Sequence, residues 1–405
     1  MKKLYSTLLL VLIASVSFAQ TTIPSTAWQF DGANIAPGST IYLPAGSRGA
    51  LLLKNLHGTA AQPITVINQG KVVITALKTA SYGLKTINCQ HFKILGNGTA
   101  GLYYGIEVNG GNISVTMDGL SSNFEVAYLE VHESGFAGIM AKTDPTCDVA
   151  TQRGNFTLNN PYIHHNYIYN TGGEGIYVGN SFYMNGVTAS CCKVWPHDVV
   201  NADISYNITN NTGCEGIQLG SATLGANVYC NTVTSPGVSP FASGQNNGIQ
   251  IGEGTGGNCY RNLIKDAPGC GIIVLGLGNN LVYSNIIVNA DIGIFADSRY
   301  TPGPYFMFVN NTIVGSKSFA IKLNSVLIPM QYIVNNAIVG GTIKLLNTNV
   351  HCTQVNNYVG TAAMLDSLYR PMAGSPLLGT GVNVSSYGVT EDYFGNAVGL
   401  NIGSN

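Results

Sequence analysis

A short phrase recurs from Leu84 to Ile343. It is an Asn between apolar residues, followed about ten residues later by an apolar residue, usually Ile after Gly, in an alternating stretch. The Asn positions are 166, 207, 231, 262, 285, 311, 336 and 357. The second set is Leu84, Ile106, Ile139, Ile176, Ile217, Ile249, Ile272, Ile294, Ile321 and Ile343. Leu84 to Ile106, Ile272 to Ile294 and Ile321 to Ile343 are each steps of 22 residues, and the longer steps read as the same unit carrying loops. One such unit cannot bury its apolar face alone. Stacking the units buries it, which makes the chain a solenoid of short strands.

Period-two alternation assigns the side chains. Val108, Ala141, Val178, Leu219, Ile251, Val274, Ala296 and Leu323 should point inward after each Gly-Ile. Their neighbours Glu107, Met140, Tyr177, Gln218, Gln250, Ile273, Phe295 and Lys322 should point outward. After the asparagines, Ile168, Val233, Ile264, Ile287, Ile313, Ile338 and Val359 should point inward. The Asn column itself reads as structural. Asn tolerates left-handed backbone at a sharp turn, and its amide can bond the Asn of the next coil. Glycine before Ile relaxes a corner. About ten coils at roughly 4.8 Å each give a rod on the order of 48 Å.

The start of the chain has the pattern of an export signal. Lys2 and Lys3 precede the apolar run 8–16, and Ser17-Phe18-Ala19 forms a small-x-small cleavage site. The run is too short to span a bilayer. The expected mature protein is secreted or periplasmic, monomeric and not held in a membrane. Without the two lysines, 16 basic residues face 19 acidic ones, and charged residues are 9% of the chain. Nucleic acid, which needs basic patches, is not an expected partner. Nine cysteines remain, so at least one is unpaired; Cys147 should pair with Cys191 or Cys192, which lie in loops of neighbouring coils. Cys89, Cys214, Cys259 and Cys270 read as small buried apolar residues.

Residues 20–80 form an opening segment, 81–360 the coils, and 361–405 a tail expected to cap the last coil, all in one domain. Insertions at 142–161 and 180–201 follow Gly-Ile strands, and a third loop spans 234–246. Long loops on a rigid stack are the usual place for chemistry. The motifs Gly172-Gly-Glu174-Gly-Ile176 and Gly213-Cys-Glu215-Gly-Ile217 put Glu174 and Glu215 at one position in adjacent coils, with Asn247 next in the column. Two carboxylates about 5 Å apart repel by roughly 3 kcal/mol at an effective dielectric near 20, so such a pair shares a proton, binds a cation or finds a basic partner. The pair is a candidate acid/base couple, or a Ca2+ site with Asn247 as an oxygen ligand; the alternative is that both glutamates bond turn amides. His164 and His165 are candidate proton-transfer partners, with Lys193 and Arg153 as neutralisers of a substrate carboxylate. Tyr177, Tyr183, Trp195 and the column Tyr229, Tyr260, Tyr283 could stack on sugars, or pack beneath loops.

The stretch Gly58-Thr-Ala-Ala-Gln-Pro-Ile-Thr-Val-Ile67, with Gly70-Lys-Val-Val-Ile74 after it, resembles the opening of secreted right-handed parallel β-helix proteins, among them the alginate lyase and chondroitinase B group of polysaccharide lyases. Gly374-Ser-Pro-Leu-Leu378, Asp392-Tyr-Phe-Gly-Asn396 and Asn401-Ile-Gly403 resemble the ending of that pectin-lyase-like superfamily. The resemblance implies an all-β, single-stranded right-handed parallel β-helix. It also implies work on an extracellular polysaccharide by β-elimination or hydrolysis. Such lyases use a Lys and an Arg on neighbouring coils; Arg261 with Lys265, or Lys193 with Arg153, are the candidates here. The Asp pairs and Gly-His-Gly of polygalacturonase-like hydrolases, and the Trp-Ile-Asp-His of pectate lyases, are absent from the sequence. The second reading is a non-catalytic glycan-binding or adhesive rod.

Overall fold

The computed structural model describes residues 21–297, 303–340, 351–361 and 364–405. The export signal and Ile343 lie outside them. The chain winds as a right-handed parallel β-helix whose coils have three faces. One face holds Ser122–Ala127, Pro161–His164, Asp203–Ser205, Ala226–Tyr229 and Gly257–Tyr260. A second face, reached through the Asn turn, holds Ile106–Asn109, Leu129–His132, Tyr167–Thr171, Ile208–Thr212 and Thr232–Thr234. These two belong to one 23-stranded sheet that bends at the turn. The Gly-Ile strands form the third face, an 11-stranded sheet.

The Gly-Ile set has one correction. Leu84 pairs with Val115, and Val115 with Ile139, so Val115 occupies the rung assigned to Ile106. Ile106 pairs with Leu129 on the second face. Short apolar strands of all three faces look alike in sequence, and here no Gly marks the third-face strand.

The core is continuous along the axis. All eight residues expected to point inward after a Gly-Ile, from Val108 on the second face to Leu323 on the third, are buried. So are the inward residues after the asparagines, except Val359, which is exposed on the last described strand pair. Of the outward positions, Met140, Tyr177 and Gln218 are also buried, the first two in a small cluster with Ala137, Ile113 and Phe136.

The Asn ladder is complete from Asn166 to Asn357. Each Nδ2 donates to the Oδ1 of the next Asn at 2.9–3.0 Å. The left-handed residue is not the ladder Asn but the residue before it: His165, Tyr206, Cys230, Arg261, Ser284, Asn310, Asn335 and Asn356 all have φ between 50° and 55°. The ladder amides satisfy enough backbone to hold ordinary side chains in that strained region. The Gly before Ile also has a different reason from the expected one. A Cβ on Gly175 would sit 2.6 Å from the carbonyl oxygen of Gly216, so the corner needs close approach of coils, not a left-handed φ.

Residues 142–161 and 180–201 leave the third face together. Cys147 and Cys191 join them in a disulfide, as expected. His197 is buried beneath, accepting from the Thr143 N–H at 3.1 Å and placing Nδ1 2.9 Å from the Asp198 carbonyl oxygen. The tail does not simply cap the last coil. It runs back along the outside, where Glu391 meets Arg261 at 2.8 Å and Val384 and Val389 cover Leu281, Val309 and Val334.

Candidate functional site

The side chains singled out from the sequence fall into three separate regions of the coil. Glu174 and Glu215 stand on adjacent rungs at the corner between the second and third faces, since Ile176 pairs with Ile217 and the Gly175 N–H donates to the Glu215 carbonyl. They do not open into a cleft. Both carboxylates are buried, and burial pushes each up to about 7. The loop 234–246 closes over them: the N–H groups of Gly237, Val238 and Ser239 donate to the carbonyls of Cys214, Thr212 and Gly213. Asn247 is turned the wrong way for an oxygen ligand. Its Nδ2 donates to Glu215 Oε1 at 2.9 Å, and its Oδ1 accepts from the Cys270 N–H at 2.9 Å.

The insertions hold the second group. Arg153 lies 3.6 Å from the centroid of the Tyr183 ring and donates to the carbonyls of Tyr183 and Pro196. The Tyr183 hydroxyl donates to Asp198 at 2.8 Å. Lys193 lies over the exposed Trp195. Tyr177 is buried and donates to Ser181. Arg153, Tyr183 and Tyr177 therefore knit the insertions together. Arg261 and Lys265 are engaged by the tail, through Glu391, the Tyr393 carbonyl and the Tyr369 ring.

His164 and His165 form the third group, on the first face and at its Asn turn, a different side of the coil from the glutamate corner. What they meet is a constellation that the sequence reading missed. The register places Ala127 beside His164 and Glu125 beside Tyr162, which puts Glu125 in reach of His164. His164 Nε2 lies 3.1 Å from Glu125 Oε1, and its Nδ1 lies 2.7 Å from His165 Nδ1. Lys93 meets the other oxygen of Glu125 at 2.7 Å. Hydrogen bonding from His164, with help from Lys93 against the cost of burial, holds Glu125 at about 2. An ionised Glu125 makes His164 Nε2 a donor. In the neutral pair, His164 Nδ1 then accepts from His165 Nδ1–H, and the lone pair of His165 is left on Nε2. That nitrogen has no hydrogen-bond partner among the described residues. Burial, then the neighbouring His164, lowers the pKa of His165, so it stays an unprotonated base near neutrality.

His165 lies between Tyr128 and Tyr206, with ring centroids 5.2 and 4.9 Å away. The ring contacts continue from Tyr103 through Tyr128, His165 and Tyr206 to Tyr229, Tyr260 and Tyr283. Tyr103 and Tyr206 are exposed, and the later three are half-buried. The ribbon runs along the edge where the first two faces meet. At about 4.8 Å per coil it spans roughly 29 Å. Beside it, a groove of about 270 Å³ is lined by His91, Lys93, Asn123, Glu125, Asn160 and Tyr162. On the second face, Lys71 bridges Glu107 and Glu130 at 3.0 and 2.9 Å, and His132 stacks on Tyr169 at 4.8 Å. The signal for both clusters was outward polar residues in register on neighbouring strands. Insertions between the strands hid that register.

Comparison with solved structures gives the fold its place. A lacto-N-biosidase of glycoside hydrolase family 136 from Eubacterium ramulus superposes with a TM-score of 0.56 at 14% identity, over 81% of this chain and 63% of that one. The superposition supports a right-handed parallel β-helix. An alginate lyase from Paenibacillus sp. aligns over 81% of this chain and 94% of its own at 16% identity with a TM-score of 0.44. A family 6 polysaccharide lyase from Pseudopedobacter saltans aligns over 93% and 98% at 12% identity with a TM-score of 0.42. No family model matches the chain, and no curated protein matches it by sequence. At these identities the likeness speaks for the β-helix fold alone.

Proposed function

We propose that this β-helix is an exported enzyme that cleaves an extracellular polysaccharide by β-elimination, with the Glu125–His164–His165 relay as its base. The observation that carries the reading is the free Nε2 of His165, set between two tyrosine rings on an aromatic edge long enough for several sugars. In this reading His165 takes the proton next to a uronate carboxylate. The electron pair left behind forms the new C=C bond as the glycosidic C–O bond breaks. A phenol of Tyr128 or Tyr206 protonates the leaving oxygen. Lys93, at the rim of the groove, faces the substrate carboxylate. Hydrolysis by two opposed carboxylates has less support: Glu174 and Glu215 are sealed, and Glu107 and Glu130 are both clamped by Lys71.

The test is incubation with a panel of uronate-containing and neutral polysaccharides, following the absorbance of unsaturated ends and the release of reducing ends. His165→Gln should lower turnover by about 10²–10⁴-fold, the range for a positioned base, while KM changes little. Unchanged turnover in that variant would remove the assignment. The second reading, a glycan-binding rod, is favoured by the ribbon itself and by the sealed glutamates. Retention on a polysaccharide column with no product from any member of the panel would establish it.

A further inference from the structure

The glutamate corner brings together groups that the imidazole relay does not use. Glu174, Cys214 and Glu215 converge there from two coils. One ligand atom from each, two carboxylate oxygens and a thiol sulfur, lie within 4.8 Å of one another. All three residues are buried, with exposures of 1%, 0% and 0%. Glu174 Oε2 and Glu215 Oε2 have no hydrogen-bond partner among the described residues. Two buried acids with an unbonded oxygen each are costly, because burying a carboxylate without full partners costs several kcal/mol. A fold that keeps both needs something to place between them.

We infer that Glu174, Cys214 and Glu215 bind one zinc-like divalent cation, which staples neighbouring coils to the loop 234–246. The donor set chooses the metal. Ca2+ and Mg2+ take all-oxygen sites of six or more ligands, whereas a thiolate with a few carboxylate oxygens suits zinc and its borderline-soft relatives. Three protein ligands leave one tetrahedral position. Gln245 Oε1, from the covering loop, is 3.9 Å from Cys214 Sγ, which makes it the candidate for that position. Asn247 holds Glu215 from outside through its Nδ2, as outer partners of metal ligands do. Lys142 contributes a positive charge toward Glu174. Two carboxylates, a thiolate and that ammonium leave a net charge of −2 for a divalent ion to cancel. The inference is independent of the glycan reading, since the site shares no residue with the imidazole relay.

The experiment uses the full chain stripped with a chelator and dialysed. Titration calorimetry with ZnCl2 should give one strong site per chain, and CaCl2 should give none there. Cobalt loading should produce a thiolate-to-metal absorption band in the near ultraviolet. Cys214→Ser should abolish that band and weaken zinc at least about tenfold, because the soft donor is gone. Glu215→Gln should weaken zinc as well. Should it fail to fold, Cys214→Ser, which keeps size and shape, still decides the matter. Zinc should raise the unfolding midpoint of the wild type and not of Cys214→Ser. Absence of stoichiometric zinc binding to the stripped wild type would overturn the inference. So would a cobalt band and zinc affinity left intact in Cys214→Ser, which would place the metal on other cysteines or on surface histidines.

Discussion

Asn262 shows what one residue does in this stack. Its N–H and Nδ2 both donate to Asn285 Oδ1 at 3.0 Å, its Nδ2 also donates to the Val228 carbonyl at 2.9 Å, and its Oδ1 accepts from the N–H and Nδ2 of Asn231. No water reaches this buried corner to replace those bonds. Asn262→Ala strands the Val228 carbonyl and two donors on Asn231. It should cost about 2–4 kcal/mol, seen as a lower thermal midpoint. A midpoint equal to wild type would show that the ladder is ornamental. Glu125 gives a prediction in pH. Its folded pKa is depressed to about 2, so its contribution is full above the ordinary carboxylate value near 4.5 and fades as pH falls toward 2. Glu125→Gln should therefore be less stable than wild type by about 2 kcal/mol at pH 6, the gap narrowing between pH 5 and pH 2. A constant gap would mean that packing, not charge, holds the site. The ladder asparagines were legible in the sequence because their spacing repeats. Glu125 was not, since a lone Glu in an alternating strand gives no sign that His164 lies beside it.

At the scale of elements, strands are interchangeable and corners are not. The three faces share the same apolar alternation, which is why Ile106 was read into the wrong column and Val115 was missed. The corners carry specific chemistry: a left-handed residue before the ladder Asn, close-packed Gly before Ile, and loops at the other junctions. The insertions depend on His197. Burial lowers its pKa, so the folded chain keeps it neutral while the unfolded chain protonates near the ordinary 6.5. Stability from this residue is full above about pH 6.5 and is lost as pH falls below it. Limited proteolysis should cut residues 142–161 and 180–201 faster at pH 5 than at pH 8, with the coils intact at both. Equal rates would remove His197 as the cause. The disulfide pair was within reach of sequence reasoning because both cysteines sit in loops of adjacent coils. The covering of Glu174 and Glu215 by 234–246 was not, because a loop's destination depends on the surface it finds.

Across the whole molecule, the coils make neighbours of residues distant in the chain, and the tail then covers part of what they expose. Val384 and Val389 lie over Leu281, Val309 and Val334, and Ser404 bonds Thr312. A chain ending before residue 380 should expose that apolar strip and associate, as a rising mass in light scattering would show; a monodisperse truncated chain would contradict it. The sequence by itself determined the β-helix, its axis of stacking, the ladder and the inward residues, because each depends on a period written along the chain. Only the tertiary structure decided which outward side chains meet, that Glu174 and Glu215 are sealed, and that half-buried His165 lies between Tyr128 and Tyr206. Those facts depend on which strands share a rung and where loops of irregular length come to rest, and neither has a period to read.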